Sequence, residues 1–219
     1  MGRSKLLKFL DNDRRSNVVQ PGKNSFETIK GNWREIQFQN ENPIVLELAC
    51  GQGEYTVGFA RKIPEKNFVG VDIKGARIWT GSKTAEEEEL KNAAFLRVHI
   101  QNLEMLFDIN EVDEIWIIHP DPRPKDSDEH RRLTHPRFLD MYRNILKSGS
   151  WIHLKTDNTD LFEYSLETIK NFKYISDIHY TYDLYGSGFL KDHHNLETRY
   201  ERMSLDEGEK IKYLKFRLN

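Results

Sequence analysis

The stretch Val45-Leu-Glu-Leu-Ala-Cys-Gly-Gln-Gly53 is an apolar strand that runs into a glycine-rich turn. Gly51 and Gly53 permit positive φ and let a ligand approach the backbone closely. The next strand pattern, 67–72, ends on Asp72, nineteen residues after Gly53. This spacing puts a carboxylate at the end of the neighbouring strand, within reach of a ribose diol. The stretch therefore predicts a βαβ unit that binds a nucleoside-bearing cofactor.

An acid inside the first strand narrows the choice of cofactor. Glu47 stands four residues before Gly51, where a carboxylate would repel a pyrophosphate but would suit a positively charged ligand. S-adenosylmethionine fits, since it has a sulfonium and an ammonium and no phosphate. Thr56 occupies the position where a dinucleotide-binding turn has its third glycine. These residues favour a methyltransferase, and a dinucleotide enzyme remains the alternative.

Strand and helix patterns alternate outward from this unit. Strands are predicted at 44–49, 67–72, 94–98, 114–118 and 150–156, and helices at 26–40, 53–62, 74–90, 136–147 and 159–171. The alternation predicts an α/β fold with a mostly parallel, Rossmann-like sheet and helices on both faces. Two β-type runs, Tyr174–Asp183 and Lys212–Leu218, predict an antiparallel extension. We expect an extended basic arm at 1–25 and a single domain at 26–219.

The segment Glu114-Ile-Trp-Ile-Ile-His-Pro-Asp-Pro-Arg-Pro-Lys125 joins a buried strand to three prolines at alternate positions. Proline fixes φ and removes backbone donors, so the segment after the strand is stiff. Asp121 is thereby held at the carboxyl end of a central strand, where open α/β sheets bind their ligands. The alternative is a proline-rich turn whose aspartate bonds only to local amides.

Composition limits the class of protein and its partners. The 219 residues carry a formal charge of −2, and no apolar run approaches the 18 residues needed to cross a membrane. The single cysteine, Cys50, is compatible with a reducing cytoplasm, where we expect the protein to act. Basic residues are concentrated in 1–15 and 130–147. Such separation of charge suits a polyanion that docks on one face.

The chain resembles the bacterial tRNA (guanine-N7-)-methyltransferases. Four motifs carry the resemblance: Glu47-x-x-x-Gly51-x-Gly53 with Asp72, Pro120-Asp121-Pro122-x-Pro124-Lys125, Lys155-Thr156-Asp157-Asn158, and Thr198-x-Tyr200-Glu201. Arg131-Arg132-Leu133-Thr134 fits the basic segment that follows the Pro-Asp-Pro motif in the family. The motifs occur in order and span most of the chain.

The resemblance implies a seven-stranded Rossmann-like methyltransferase that transfers methyl from S-adenosylmethionine to N7 of a variable-loop guanosine in tRNA, leaving S-adenosylhomocysteine. It implies that Asp121 is catalytic and touches both the cofactor and the guanine. The other cofactor-binding residues implied by position are Glu47, Gly51, Gly53, Asp72, Gln101 and Asn102. The substrate-binding residues implied are Lys125, Arg131, Arg132, Asp157, Thr198, Tyr200 and Glu201. We expect no metal, no membrane contact and no obligatory protein partner, and a monomer with a dimer as the alternative.

The chain departs from the family pattern at several positions. Arg123 replaces the usual tryptophan of the Pro-Asp-Pro motif, and His119 stands where the family has an apolar or aromatic residue. Met203 and Ser204 replace the usual Lys-Phe pair. Two other functions remain open. One is a methyltransferase of the same fold that acts on another RNA, a small molecule or a protein, and the other is a non-catalytic RNA-binding protein.

Overall fold

A single mixed β-sheet organises the chain. The computed structural model describes the backbone of residues 3–219 and the side chains from Leu6 onward. The strands are β1 (Val18–Val19), β2 (Ile44–Leu48), β3 (Asn67–Asp72), β4 (Ala93–Arg97), β5 (Val112–Ile118), β6 (Leu146–Thr156), β7 (Ile175–Thr181) and β8 (Lys212–Leu218). Their spatial order is β1-β4-β3-β2-β5-β6-β8-β7.

The pairing confirms the predicted sheet. Neighbouring strands from β1 through β6 are parallel, and β8 is antiparallel to both of its neighbours, β6 and β7. The sheet has eight strands rather than the expected seven, because the two-residue β1 adds to the edge of β4. The carboxyl ends of β2, β3, β5 and β6 therefore meet at one edge, where ligands bind in such sheets.

Seven α-helices surround the sheet: α1 (Arg3–Arg14), α2 (Asn24–Thr28), α3 (Glu54–Lys62), α4 (Gly75–Glu87), α5 (Pro136–Ile145), α6 (Thr159–Asn171) and α7 (Arg199–Asp206). A π-helix at Trp33–Phe38 and 3-10 helices at Ile100–Met105, Asp126–Arg131 and Gly188–His193 complete the regular structure. Within residues 3–219, no helix combines the length and apolar character that crossing a membrane requires.

The core lies on both faces of the sheet, as the parallel architecture requires. On one face, Leu46 belongs to the same buried cluster as Leu139 of α5 and Phe162 of α6. On the other face, the neighbouring Val45 clusters with Phe59 of α3. Successive side chains of a strand point to opposite faces, so β2, β3, β4, β5 and β8 contribute to both clusters.

The expectation of an extended arm at 1–25 is wrong for its described part, which forms α1 and packs against α4. A Cβ at Gly75 would lie 2.6 Å from the ring of Phe9, so the two helices are in close contact. The amide of Asn12 donates to the carbonyl of Gly75 at 2.8 Å. Tertiary contacts of this kind override the polar composition from which the arm was predicted.

The predicted helix at 26–40 is interrupted. α2 ends at Thr28, and the π-helix begins at Trp33. Between them, the carboxylate of Glu111 accepts the backbone N–H groups of Gly31 at 2.9 Å and Trp33 at 3.1 Å. A side chain from a distant segment thus satisfies donors that a continuous helix would have used internally.

Candidate functional site

The glycine turn after β2 opens a space beside the backbone. Gly51 and Gly53 both have positive φ, 56° and 72°. A Cβ at Gly53 would lie 2.4 Å from the ring of Phe95, so this glycine is required by packing. A Cβ at Gly51 would meet nothing within 4 Å. Gly51 is therefore the position at which a ligand can approach the main chain.

Two acids flank this turn. Glu47 is buried and accepts hydrogen bonds from the backbone N–H and the hydroxyl of Thr56. Burial raises the pKa of Glu47 to about 8, although the bonds from Thr56 oppose the rise. Asp72 accepts from the backbone N–H of Gly51 at 3.1 Å and from that of Lys74 at 2.8 Å. Asp72 thus fixes the turn and still keeps lone pairs for a ligand.

A cavity of about 610 Å³ lies at this edge of the sheet. Its acidic lining residues are Glu47, Glu54, Asp72 and Asp121, and its basic ones are Lys74, Arg77, Arg123 and Arg131. Gln101 and Asn102, expected near an adenine, are not among the lining residues. The preceding pair, His99 and Ile100, lines the cavity instead.

The Pro-Asp-Pro segment forms one wall of the cavity. His119, which ends the strand, has a positive φ of 43°, and its N–H donates to the carbonyl of Lys155 at 2.8 Å. The side chain of Asp121 is 61% exposed and lies 3.2 Å from the guanidinium of Arg123. The segment therefore presents Asp121 to the cavity on a backbone fixed by its flanking prolines.

A second cavity, of about 440 Å³, lies on the other side of the same wall. Both cavities are lined by His119, Pro120, Pro122 and Tyr200. The second cavity is completed by Asp157, Asn158, Thr159, Asp160 and Glu209. Asn158 also caps α6, because its side chain accepts the N–H of Leu161 at 2.8 Å.

A buried group of charged side chains supports the shared wall. Nδ1 of His119 is 3.3 Å from a carboxylate oxygen of Asp157, and its Nε2 is 3.8 Å from one of Glu201. Lys155 and Glu201 are fully buried, with their charged atoms 2.5 Å apart. His119 holds the pKa of Asp157 down at about 2. Burial opposes the charged form of His119, but the two carboxylates outweigh it and raise its pKa.

The motif around Glu201 begins a helix that the sequence reading treats as loop. Thr198 accepts the N–H of Glu201 at 3.0 Å, and Glu201 accepts the N–H of Thr198, which is a capping box. The Thr198-x-x-Glu201 spacing is the sequence signal that could have revealed α7. Thr198 lines the first cavity, whereas Glu201 lines neither and lies behind the wall.

The predicted basic residues occupy different environments. Arg131 lines the first cavity, is 54% exposed and pairs with Asp128 at 3.0 Å. Arg132 lies over the ring of Tyr164, 4.3 Å from its centroid. Lys125 is exposed and precedes the 3-10 helix at Asp126–Arg131. His119 and Lys155 are the site residues that the sequence reading did not assign.

Comparison with known proteins agrees with this geometry. A family model described as "Putative methyltransferase" matches residues 41–214. A tRNA (guanine-N(7)-)-methyltransferase of Cytophaga hutchinsonii is 44% identical, with 99% of this chain and 98% of the relative covered. One of Christiangramia forsetii is also 44% identical with the same coverage. The crystal structure of the 16S rRNA methyltransferase KamB has a TM-score of 0.63 at 16% identity, covering 93% of this chain and 99% of that one. The last likeness concerns the fold alone.

Proposed function

Because the chain belongs to the tRNA (guanine-N7-)-methyltransferase family, we propose that it methylates N7 of a variable-loop guanosine in tRNA, using S-adenosylmethionine. One observation carries the proposal. Two cavities of about 610 and 440 Å³ share a wall made by His119, Pro120, Pro122 and Tyr200, and Asp121 lines the larger one. A cofactor in the first cavity and a base from the second would therefore meet at this wall.

The residues of the first cavity fit S-adenosylmethionine. When bound, this cofactor supplies a sulfonium methyl group, and the bonding electrons remain on sulfur as S-adenosylhomocysteine forms. Glu47 would face the cationic methionine end, and Asp72 the ribose. The free space beside Gly51 allows close contact with the main chain. The cavity volume lies within the usual range for sites of cofactor size.

The residues of the second cavity fit a guanine. Asp157 is an acceptor for N1–H and the 2-amino group, which are the donors on that edge of the base. Tyr200 is 56% exposed and lines both cavities, so its ring can stack on an unstacked base. Arg131 and Lys125, both exposed, would hold the RNA backbone nearby.

The chemistry asks little of these side chains beyond orientation and charge. Guanine N7 already has a lone pair, so no general base is needed. Correct orientation of two reactants alone can contribute on the order of 7–11 kcal/mol. The product ring is cationic, and the carboxylate of Asp121 would stabilise the charge as it develops. Asp121 is the residue to which we assign this catalytic role.

A direct assay tests the proposal. The protein is incubated with methyl-labelled S-adenosylmethionine and a tRNA transcript, and the digested nucleosides are separated. We expect labelled 7-methylguanosine from a transcript with a variable-loop guanosine, and none from a matched transcript with adenosine there. Equal labelling of both transcripts would mean that the methylated nucleoside lies elsewhere in the tRNA. Labelling of neither would favour a small-molecule or protein substrate.

A monomeric state and a cytoplasmic location stay predictions.

A further inference from the structure

One histidine joins three elements at the wall between the cavities. His119 follows β5, Asp157 follows β6, and Glu201 belongs to α7. The imidazole is almost completely buried, with its side chain 6% exposed. Its ring also meets that of Tyr200 edge to face, with the centroids 5.5 Å apart.

Both ring nitrogens face carboxylate oxygens. Nδ1 is within hydrogen-bond distance of Asp157 at 3.3 Å, whereas Nε2 lies 3.8 Å from Glu201, too far for a hydrogen bond, and has no other hydrogen-bond partner. A neutral imidazole has one N–H and can donate to only one of the two carboxylates. An imidazolium has a proton on both nitrogens, so it can bond to Asp157 and attract Glu201 as an ion pair across 3.8 Å. The two carboxylates on opposite sides of the ring therefore favour the protonated form.

The other charged groups around the imidazole bond to different atoms, so they do not take over its contacts with the two carboxylates. From β6, the ammonium of Lys155 pairs with the other oxygen of Glu201, which also accepts the hydroxyl of Tyr185 at 2.8 Å. From β8, Lys212 donates to the main-chain carbonyl of Asp157 at 2.6 Å. On the segment of His119 itself, Asp121 is exposed and pairs with Arg123. Ser204 of α7 donates to the remaining oxygen of Asp157 at 2.9 Å.

We propose that His119, as an imidazolium, is a positioning residue that holds Asp157 and the Tyr200 end of α7 in place around the guanine. This inference rests on the proposed function, because it assigns Asp157 and Tyr200 to the base. His119 also lines the first cavity, but its hydrogen bond is to Asp157, on the RNA side. Glu47 and Asp72, which we assign to the cofactor, bond to Thr56, Gly51 and Lys74 and not to this group.

The proposal predicts a pH dependence of tRNA use. When the ring loses its proton, the positive charge between the carboxylates of Asp157 and Glu201 is lost, so α7 is less firmly held. At saturating cofactor, kcat/KM for tRNA should fall as pH rises through the pKa of His119. That pKa lies above its ordinary value, so the fall should come at higher pH than for a free histidine.

His119→Asn is the informative variant. Asparagine tolerates the left-handed backbone of this position and can donate to one carboxylate only. We expect kcat/KM for tRNA to fall roughly 10-fold or more, which is the effect of losing one charge-assisted hydrogen bond. Cofactor affinity measured by calorimetry should change by a smaller factor than kcat/KM for tRNA, and the alkaline fall should disappear from the profile. His179→Asn, on the exposed edge strand β7, is the matched control.

A second measurement needs no variant. The ring protons of His119 are followed by NMR across pH in the unaltered protein, and assigned by comparison with His119→Asn or His119→Lys. Titration above the ordinary histidine range is expected. Titration at or below that range would overturn the proposal, and so would wild-type tRNA kinetics and pH profile in His119→Asn. Methylation by the wild-type protein tests the function itself, so the two failures are distinguishable.

Discussion

At the scale of single residues, we expect Glu47 to link cofactor binding to the release of a proton. Burial raises its pKa to about 8, so below that pH the free protein holds it largely protonated. A cationic ligand favours the carboxylate, so binding should release a proton. Affinity for S-adenosylmethionine should then rise with pH, by at most about tenfold per unit, and level off above about 8.

Calorimetry in two buffers of different ionisation enthalpy measures both the affinity and the released proton. Glu47→Gln should bind more weakly and lose the pH dependence. Glu65→Gln, an exposed acid on the loop before β3, should behave like the wild type. A pH-independent affinity in the wild-type protein would mean that Glu47 does not contact the cationic end of the cofactor.

Asp121 is expected to matter for the chemical step more than for stability. Asp121→Asn keeps the shape of the side chain and removes the negative charge that would stabilise the cationic product. Single-turnover methylation of a tRNA transcript, saturated with both substrates, should slow roughly 100-fold, equivalent to about 3 kcal/mol. The melting temperature should change little, because the side chain is 61% exposed and its pair with Arg123 lies at the surface.

Asp126→Asn is the matched control for this variant, since Asp126 is exposed on the same loop and lines neither cavity. It should leave the single-turnover rate unchanged. A near-normal rate in Asp121→Asn would instead indicate that Asp157 stabilises the positive charge of the product.

At the scale of elements, α7 depends on one buried ion pair. Glu201→Gln can still close the capping box but leaves the ammonium of Lys155 without its counter-charge. Breaking a buried pair from one side typically costs 3–5 kcal/mol, so urea unfolding should show a loss of about that size. Adding Lys155→Met to Glu201→Gln should recover much of it. Asp183→Asn, which breaks the exposed pair with Lys210, should cost far less than breaking the buried pair, because solvent screens exposed charges.

The elements differ in how far the sequence could predict them. β2, β3 and α3 follow from local apolar periodicity and the glycine turn, and the structure confirms their placement within one or two residues. α1 was missed because its stability comes from contacts with α4 rather than from its own polar sequence. α7 was missed because the loop composition outweighed the capping signal at Thr198.

The same distinction applies to the site. Glu47 and Asp121 could be predicted because each carries its own local signal, an acid before glycines or between prolines. The roles of His119 and Lys155 could not, because they depend on Glu201, a partner more than forty residues further along the chain. For the predicted cofactor contact at Gln101 and Asn102, the cavity is lined instead by the three residues directly before that pair, 98–100. Boundaries between short elements are poorly determined by periodicity alone.

At the scale of the whole molecule, the net charge is small, so the positions of the charged side chains matter more than their sum. The formal charge is −2, yet Lys74, Arg77, Arg123 and Arg131 all line the cofactor cavity. Of the basic residues in 1–15, for which we expected contact with a polyanion, Lys8 lies over the ring of Trp79, 4.5 Å from its centroid. The side chains of Arg3 and Lys5 lie outside the described part. The four bases of the cavity lining are matched by four acids, so a polyanion would meet individual exposed bases such as Arg131 rather than a net positive charge.

The salt dependence of tRNA binding tests this distribution. Each phosphate neutralised should contribute about 0.7–0.9 to the slope of log affinity against log salt. Arg131→Ala should reduce the slope by about one such step, since Arg131 is exposed at the cavity rim. Arg132→Ala should reduce it less, because that guanidinium is already stacked on Tyr164 and donates to the carbonyl of Arg123. Lys210→Ala, an exposed base before β8, should leave the slope unchanged. Equal slopes for all three variants would mean that tRNA approaches by another face.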